Sequence, residues 1–331
     1  MTRAQQLLEE AAARGVRSFS LSAKGDGAAL SLRTRGGFER DERVLPDFAG
    51  LVTEFDALAP DKMHQDEFEW EARVALSVEG RQVWFDLWWF RDKGKNGFIG
   101  YVFDPNLRVS FDQLGLSERD AKTLDELTSF PSGVVVGCGC VGSGHGTTQM
   151  ALLERMGQHG RRVVSLYDWS HPHLRGVTQI ELDPENIKEQ VASLAADFDV
   201  FALPNLRNDK IVHAAFDLAS SGHLVLSLIY SYPVETALYR FLDLGVSPDE
   251  LRAHFLGGWS QTLVHRAGGK DRIGVFNCMS RDEAQHQTFE RVWLSQQIDQ
   301  DEFKRAWWRD IERKIERGDI LREDVPDWLN P

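Results

Sequence analysis

Gly133–Met156 reads GVVVGCGCVGSGHGTTQMALLERM, and the reading of the whole chain turns on it. Gly133 to Val136 is a short β-branched apolar run, the signature of a buried strand. Glycines and small residues follow through Gly146. From Thr147 the pattern becomes helical, with Met150, Leu153 and Met156 about a turn apart. Strand, glycine-rich loop and helix form the layout of a phosphate-binding P-loop, in which loop N–H groups and the helix N-terminus face anionic oxygens. That motif requires G-x-x-x-x-G-K-[ST]. Gly139 and Gly144 are correctly spaced, with Gly142 and Ser143 between them, but His145 and Gly146 follow, ahead of Thr147 and Thr148. The lysine that would neutralise β/γ-phosphates is replaced, and so is the hydroxyl that would hold Mg²⁺. The loop shape is retained without its chemistry.

The 331 residues are enough for two domains with separate cores. A net charge of −13 disfavours general nucleic-acid binding, since a polyanion would be repelled over most of the surface. Three cysteines, Cys138, Cys140 and Cys278, give neither a disulfide framework nor a four-cysteine zinc site, and a reducing cytosolic compartment is expected. Met1 to Gly15 reads as a charged amphipathic segment rather than a signal peptide. No apolar run reaches the roughly 20 residues of a spanning helix, so membrane association is expected only through a partner.

Along the chain, helices are expected at Ala4–Ala13 and Phe48–Leu58. Hairpins are expected at Ser18–Ala23 with Ala28–Arg33, and at Phe68–Val78 with Gln82–Phe90. Phe98–Phe103 adds a strand. Trp70, Trp84, Trp88 and Trp89 fall on expected strands; by period two, Trp84, Trp88 and Phe90 share one face and are assigned to the core. Trp89 points the other way and is the expected exposed contact. After the P-loop helix, strands at Arg162–Leu166, Asp199–Leu203 and His223–Tyr230 alternate with helices at Glu185–Ala196, Asp209–Ser220 and Pro233–Leu244. This alternation predicts a mainly parallel sheet. Phe303, Trp307, Ile311 and Ile315 fall on one helical face of the tail and are expected to dock on that second domain, with a partner helix as the alternative.

In this order the motifs resemble the secretion ATPase superfamily of type II secretion and type IV pilus assembly and retraction. Three stretches carry the resemblance: SFDQLGLSERDAKTLDELTSFPSGVVV, GCVGSGHGTTQMALLERM, and SSGHLVLSLIYSYPVETALYRFLDLGVSPDELRAHFLGGWSQTLVHR. It runs roughly from Gln5 to Cys278. It implies an α/β fold: an N-terminal α+β (PAS-like) domain over 1–109, a linker and lead-in helix over 110–130, a RecA-like P-loop domain over 131–280 and a helical tail over 281–331. It also implies assembly into cytoplasmic hexamers.

The departures from the family pattern fall on its chemistry. His145 and Gly146 stand at the P-loop lysine and hydroxyl positions. Tyr167 stands at the acidic position of the Asp box, beside retained Asp168. Asn205, after Pro204, stands where the Walker B carboxylate belongs. Of two expected histidines His223 is kept, and Tyr230 replaces the second.

Four altered elements together predict a pseudo-ATPase with no catalytic residue and no required cofactor. Weak ATP or ADP binding at the degenerate P-loop is the alternative. The expected role is a structural or regulatory subunit of a pilus or secretion apparatus, oligomeric, partnered by an active homologous ATPase or an inner-membrane platform protein. It would be cytoplasmic and peripheral to the inner membrane. A slow ATPase using non-standard residues and a nucleotide sensor are the competing functions. A metal site using Asp168, His171 and His173, or His145 and His223, is weighed and set aside for lack of a fourth ligand, so no metal is expected. Cys138 and Cys140 are expected to be buried and structural rather than redox-active.

Overall fold

The computed structural model describes residues 1–34, 37–65, 69–92, 95–104, 108–167, 173–183, 185–269, 271–284 and 300–329. They divide into two compact units, with the main boundary at Arg108/Val109.

The first unit begins with helix α1 (Arg3–Ala13), capped by Thr2, whose side chain accepts from the Gln5 N–H. Its Ala4, Leu7, Leu8, Ala11 and Ala12 recur at helical spacing and are buried. Seven strands follow: β1 (Ser18–Lys24), β2 (Gly27–Thr34), β3 (Gly37–Leu45), β4 (Lys62–Gln65), β5 (Glu69–Val78), β6 (Arg81–Asp92) and β7 (Lys95–Phe103), with α2 (Phe48–Leu58) after β3. They form one antiparallel sheet in the order β3-β2-β1-β7-β6-β5-β4. Both residues of the tight β5–β6 turn have positive φ, Glu79 at 48° and Gly80 at 77°, as a two-residue hairpin loop demands. Phe19, Phe55, Phe98 and Trp70 stack in the core between sheet and helices.

The β6 alternation has period two, but its phase is opposite to the expected one. Val83, Phe85 and Leu87 are buried, and Trp89 packs with them. Trp84, Trp88 and Phe90 lie on the outer face, where Trp84 is 38% exposed. The face of Val83, Phe85 and Leu87 is the one that packs with α1 and α2, so the larger rings fall on the opposite side. The outer rings are satisfied by polar neighbours instead: the Trp88 indole N–H donates to Glu69 Oε2 at 3.2 Å, and the Arg73 guanidinium lies 6.0 Å from the Trp84 ring. Trp89 is therefore not the exposed anchor.

The second unit holds α3 (Glu118–Ser129), β8 (Gly133–Cys138), α4 (His145–Gln158), β9 (Val163–Tyr167), β10 (Val177–Glu181), α5 (Ile187–Leu194), β11 (Val200–Ala202), α6 (Asp209–Ser220), β12 (Leu224–Ile229), α7 (Val234–Asp243), α8 (Pro248–His254), β13 (Phe255–His265) and β14 (Arg272–Met279). The sheet order is β10-β9-β11-β12-β8-β13-β14, and β10 through β13 pair in parallel. Alternate residues of β8 feed two cores. Val134 and Val136 pack with α5, α6 and α7, while Val135 packs with α3 and α4. A sheet buried on both faces explains why its strands read as continuous apolar runs.

The tail helix (Gln300–Glu316) seats Trp307, Trp308 and Ile311 against Val264 of β13 and Ile273 and Val275 of β14. Ile315 packs at the margin, as its spacing predicts, and the Phe303 side chain lies outside the described residues. Asp310 fixes this seat. Its Oδ2 accepts the Phe276 N–H at 2.9 Å, and the Lys314 ammonium bridges both its oxygens at 2.8 and 2.7 Å.

Candidate functional site

Strand β8 is interior to the sheet, and the loop it feeds emerges at the carboxyl ends of the parallel strands, where open α/β sheets hold ligands. Gly142 and Gly144 have φ of 85° and 89°, conformations that L side chains avoid. Gly144 is the N-cap of α4 and contributes no side-chain bond, so the first-turn N–H groups of a 14-residue helix have no side-chain cap.

Inside the loop, His145 is only 7% exposed. Its Nδ1 lies 2.6 Å from Ser143 Oγ, itself buried, and burial pushes the imidazole down to about 4. The ring is therefore neutral at physiological pH, and His145 does not supply a lysine's fixed charge. Gly146 offers no oxygen at the Mg²⁺-hydroxyl position. Thr148 is fully buried and donates its hydroxyl to Gln261 Oε1 at 2.6 Å. Thr147 stands beside it in the first turn, half-buried.

Gln261 of β13 is a site residue that the sequence reading did not single out. A Cβ at Gly144 would come 2.7 Å from its Nε2, and one at Gly139 would come 3.0 Å from its carbonyl oxygen. One buried residue thus approaches both ends of the loop, its side chain at Gly144 and its backbone carbonyl at Gly139. The signal was present as a polar residue inside the apolar run Phe255–Val264. Next to it, Ser260 Oγ accepts the Val234 N–H at 2.8 Å and holds the start of α7.

The remaining expected positions divide by the parallel register. Tyr167 is the last residue of β9, and Asn205 and Tyr230 follow the carboxyl ends of β11 and β12. Tyr230 stands edge-on to His145, ring centres 6.0 Å apart, and is 57% exposed. Asn205 Oδ1 is buried with no hydrogen-bond partner among the described residues. An amide at that position cannot act as the general base a carboxylate would be. His223 is not brought to this group. It precedes β12, its carbonyl accepts the Gly133 N–H, and it packs edge-on to Phe201 at the amino end of the sheet. Asp168 and His171 lie outside the described residues, and among those described no cluster of three or more metal-ligating side chains occurs. Cys138 is buried as expected, but Cys140 is exposed, because it sits past the strand end on the loop with Val141, which is 72% exposed.

The site can therefore offer backbone N–H groups and a helix terminus to an anion. The positions at which the motif expects a lysine, a Mg²⁺ hydroxyl and a Walker B carboxylate carry His145, Gly146 and Asn205.

Comparison with known proteins agrees with this fold. Residues 93–309 match the family described as Type II/IV secretion system protein. Over 219 residues the chain is 28% identical to Type II secretion system protein E of Pseudomonas aeruginosa, covering 65% of this chain and 44% of that protein. Over 230 residues it is 27% identical to Type II secretion system protein E of Dickeya dadantii, covering 68% and 46%. It thus spans under half the length of these curated relatives. Among solved structures, the ATPase DotB of Legionella pneumophila superposes with a TM-score of 0.72 at 15% identity, over 97% of this chain and 93% of that one. The pilus retraction motor PilT with bound ADP gives 0.72 at 19% identity, over 100% and 97%. At such identities the likeness concerns the fold alone. The family match, which covers most of the second unit, decides the matter: the chain belongs to the Type II/IV secretion system protein family.

Proposed function

We propose that this protein is a pseudo-ATPase of the secretion and pilus machinery, a structural or regulatory subunit that acts by contact rather than by hydrolysis. The observation that carries the reading is His145, a buried neutral ring bonded to Ser143 in the place of the phosphate-binding lysine. Gly146 and Asn205 remove the metal hydroxyl and the carboxylate at the same site. Phosphoryl transfer depends almost wholly on such charge placement, so losing all three leaves no route to a useful rate. A slow ATPase would have to draw on groups other than these.

Retention of the fold without its chemistry favours a role in assembly, as a homo-oligomer or within a ring of an active homologue, or on an inner-membrane platform protein. Relatives named as parts of type II secretion systems support that setting. No helix among the described residues is long and apolar enough to cross a membrane, so attachment would run through such partners. Sedimentation velocity of the protein alone and mixed with the homologous ATPase tests this. A self-associated or mixed species is expected. A strict monomer in both samples, with the homologue's ATPase rate unaltered, overturns it.

A second reading, nucleotide sensing without turnover, is favoured by the uncapped α4 N-terminus. ATP or ADP would then bind through backbone contacts alone, with a Kd of roughly millimolar or weaker. A nucleotide-dependent melting shift separates it from the first reading.

A further inference from the structure

Strand β3 is one edge of the first unit's sheet, so one side of its backbone meets no other strand among the described residues. It reads FERDERV over Phe38–Val44, with an apolar residue at each end and charges between. Phe38 and Val44 are 66% and 47% exposed. The register with β2 divides the strand by face. Phe38 lies opposite Arg33 and Val44 opposite Ala29, on the face turned away from the core, whereas Glu39 lies opposite buried Leu32. Asp41 and Arg43 share that second face. Arg43 bonds Glu10 of α1 at 2.6 Å, Arg14 of α1 lies 3.3 Å from Asp41, and Asp41 and Arg43 bond each other at 2.6 Å.

Charges on an edge strand ordinarily keep copies apart. These do the opposite when the strand is laid antiparallel on itself about Asp41. Phe38 then faces Val44 of the second copy, Glu39 faces Arg43 and Arg40 faces Glu42, and two-fold symmetry makes each pair occur twice. The one like pair is Asp41 on Asp41, and each of those carboxylates is already paired with Arg43 and Arg14 of its own copy. The register shift of β3 against β2 sets residues 41–43 over Leu30, so it interrupts the new ladder at its centre and leaves both flanks to pair. We propose that β3 is a self-association edge: two copies join β3 to β3, antiparallel about Asp41, into one continuous sheet. The inference concerns the first unit alone and stands whether or not the P-loop binds or hydrolyses nucleotide. A nine-residue edge buries less than the roughly 1,200 Å² of a standard interface, so the pairing is weak by itself, with half-association at roughly 100 μM.

Charge exchange tests both the surface and the register. Glu42→Arg sets Arg40 against an arginine of the second copy, and Arg40→Glu sets Glu42 against a glutamate. Sedimentation equilibrium of the 331-residue chain, over a series reaching about 500 μM, reads the association. Each variant alone is expected to weaken it about tenfold. An equimolar mixture of the two variants regains both opposite-charge pairs and should associate as wild type does. A second measurement uses a Cys140→Ser background, which removes the exposed thiol. There Phe38→Cys and Val44→Cys should cross-link to each other on mild oxidation, and neither to itself. A wild type that stays monomeric throughout, variants that associate like wild type, a mixture that stays apart, or each cysteine variant cross-linking to itself overturns the edge pairing. Wild-type association indifferent to the charge exchange would overturn it too, while leaving the assembly reading to stand on another surface.

Discussion

If His145 is neutral because it is buried, lowering the pH should destabilise the protein through that one residue. Its folded-state pKa, about 4, lies below the ordinary value of 6.5. As pH falls, the unfolded chain therefore takes up the proton before the folded chain does. Stability present above the unfolded pKa is lost progressively as pH falls toward the folded one. Integrating the linkage between about pH 8 and pH 5 gives a loss of about 2 kcal/mol from His145. Stopping near pH 5 keeps most carboxylates out of the measurement. The assay is urea unfolding at a series of pH values, wild type against His145→Asn, which keeps an acceptor for Ser143 and cannot titrate. The other histidines contribute equally to both curves, so the difference isolates His145. The two curves should converge by about 2 kcal/mol on acidification, and the His145 ring resonances should show no titration above pH 5. Parallel curves, or a ring titrating near its ordinary value, would refute the burial argument and restore a cation to the loop.

Other perturbations test separate parts of the account. Asp310→Ala should destabilise the second unit by about 3–5 kcal/mol, because it strands the Lys314 ammonium and the Phe276 N–H in the interior. Asp310→Ala with Lys314→Met should recover much of that loss, and urea midpoints decide it. On β6, Phe85→Ala should cost about 3–5 kcal/mol and Trp84→Ser less than about 1, the reverse of what the expected face assignment implies. Restoring His145→Lys with Gly146→Thr should leave ATP turnover absent in a coupled-enzyme assay, since Asn205 still lacks a carboxylate. A measurable rate in that double variant would show that the P-loop changes alone silenced the site.

The second unit was legible where its physics is local and strong. Runs such as Gly133–Val136 and Leu224–Ile229 are apolar because both faces of their sheet are covered, and their glycines mark the turns. The first unit was harder. Strand β3 reads GFERDERVL, and its charges suit an exposed edge but hide it from pattern reading. Strand β6 showed its period plainly and its phase not at all, because the covering helices α1 and α2 choose the face and they lie elsewhere in the sequence. At the site, His145, Tyr230 and Asn205 could be placed by motif. The separation of His223 from them depends on the parallel register with β8, and the bond from Thr148 to Gln261 spans 113 residues. Neither is written in local sequence.

Initial-rate measurement of Mg²⁺-dependent ATP hydrolysis by the purified 331-residue chain tests the central claim most directly. The account predicts a rate indistinguishable from protein-free buffer, in wild type and in His145→Ala alike. Turnover comparable to that of an active homologue, abolished by His145→Ala, would contradict it.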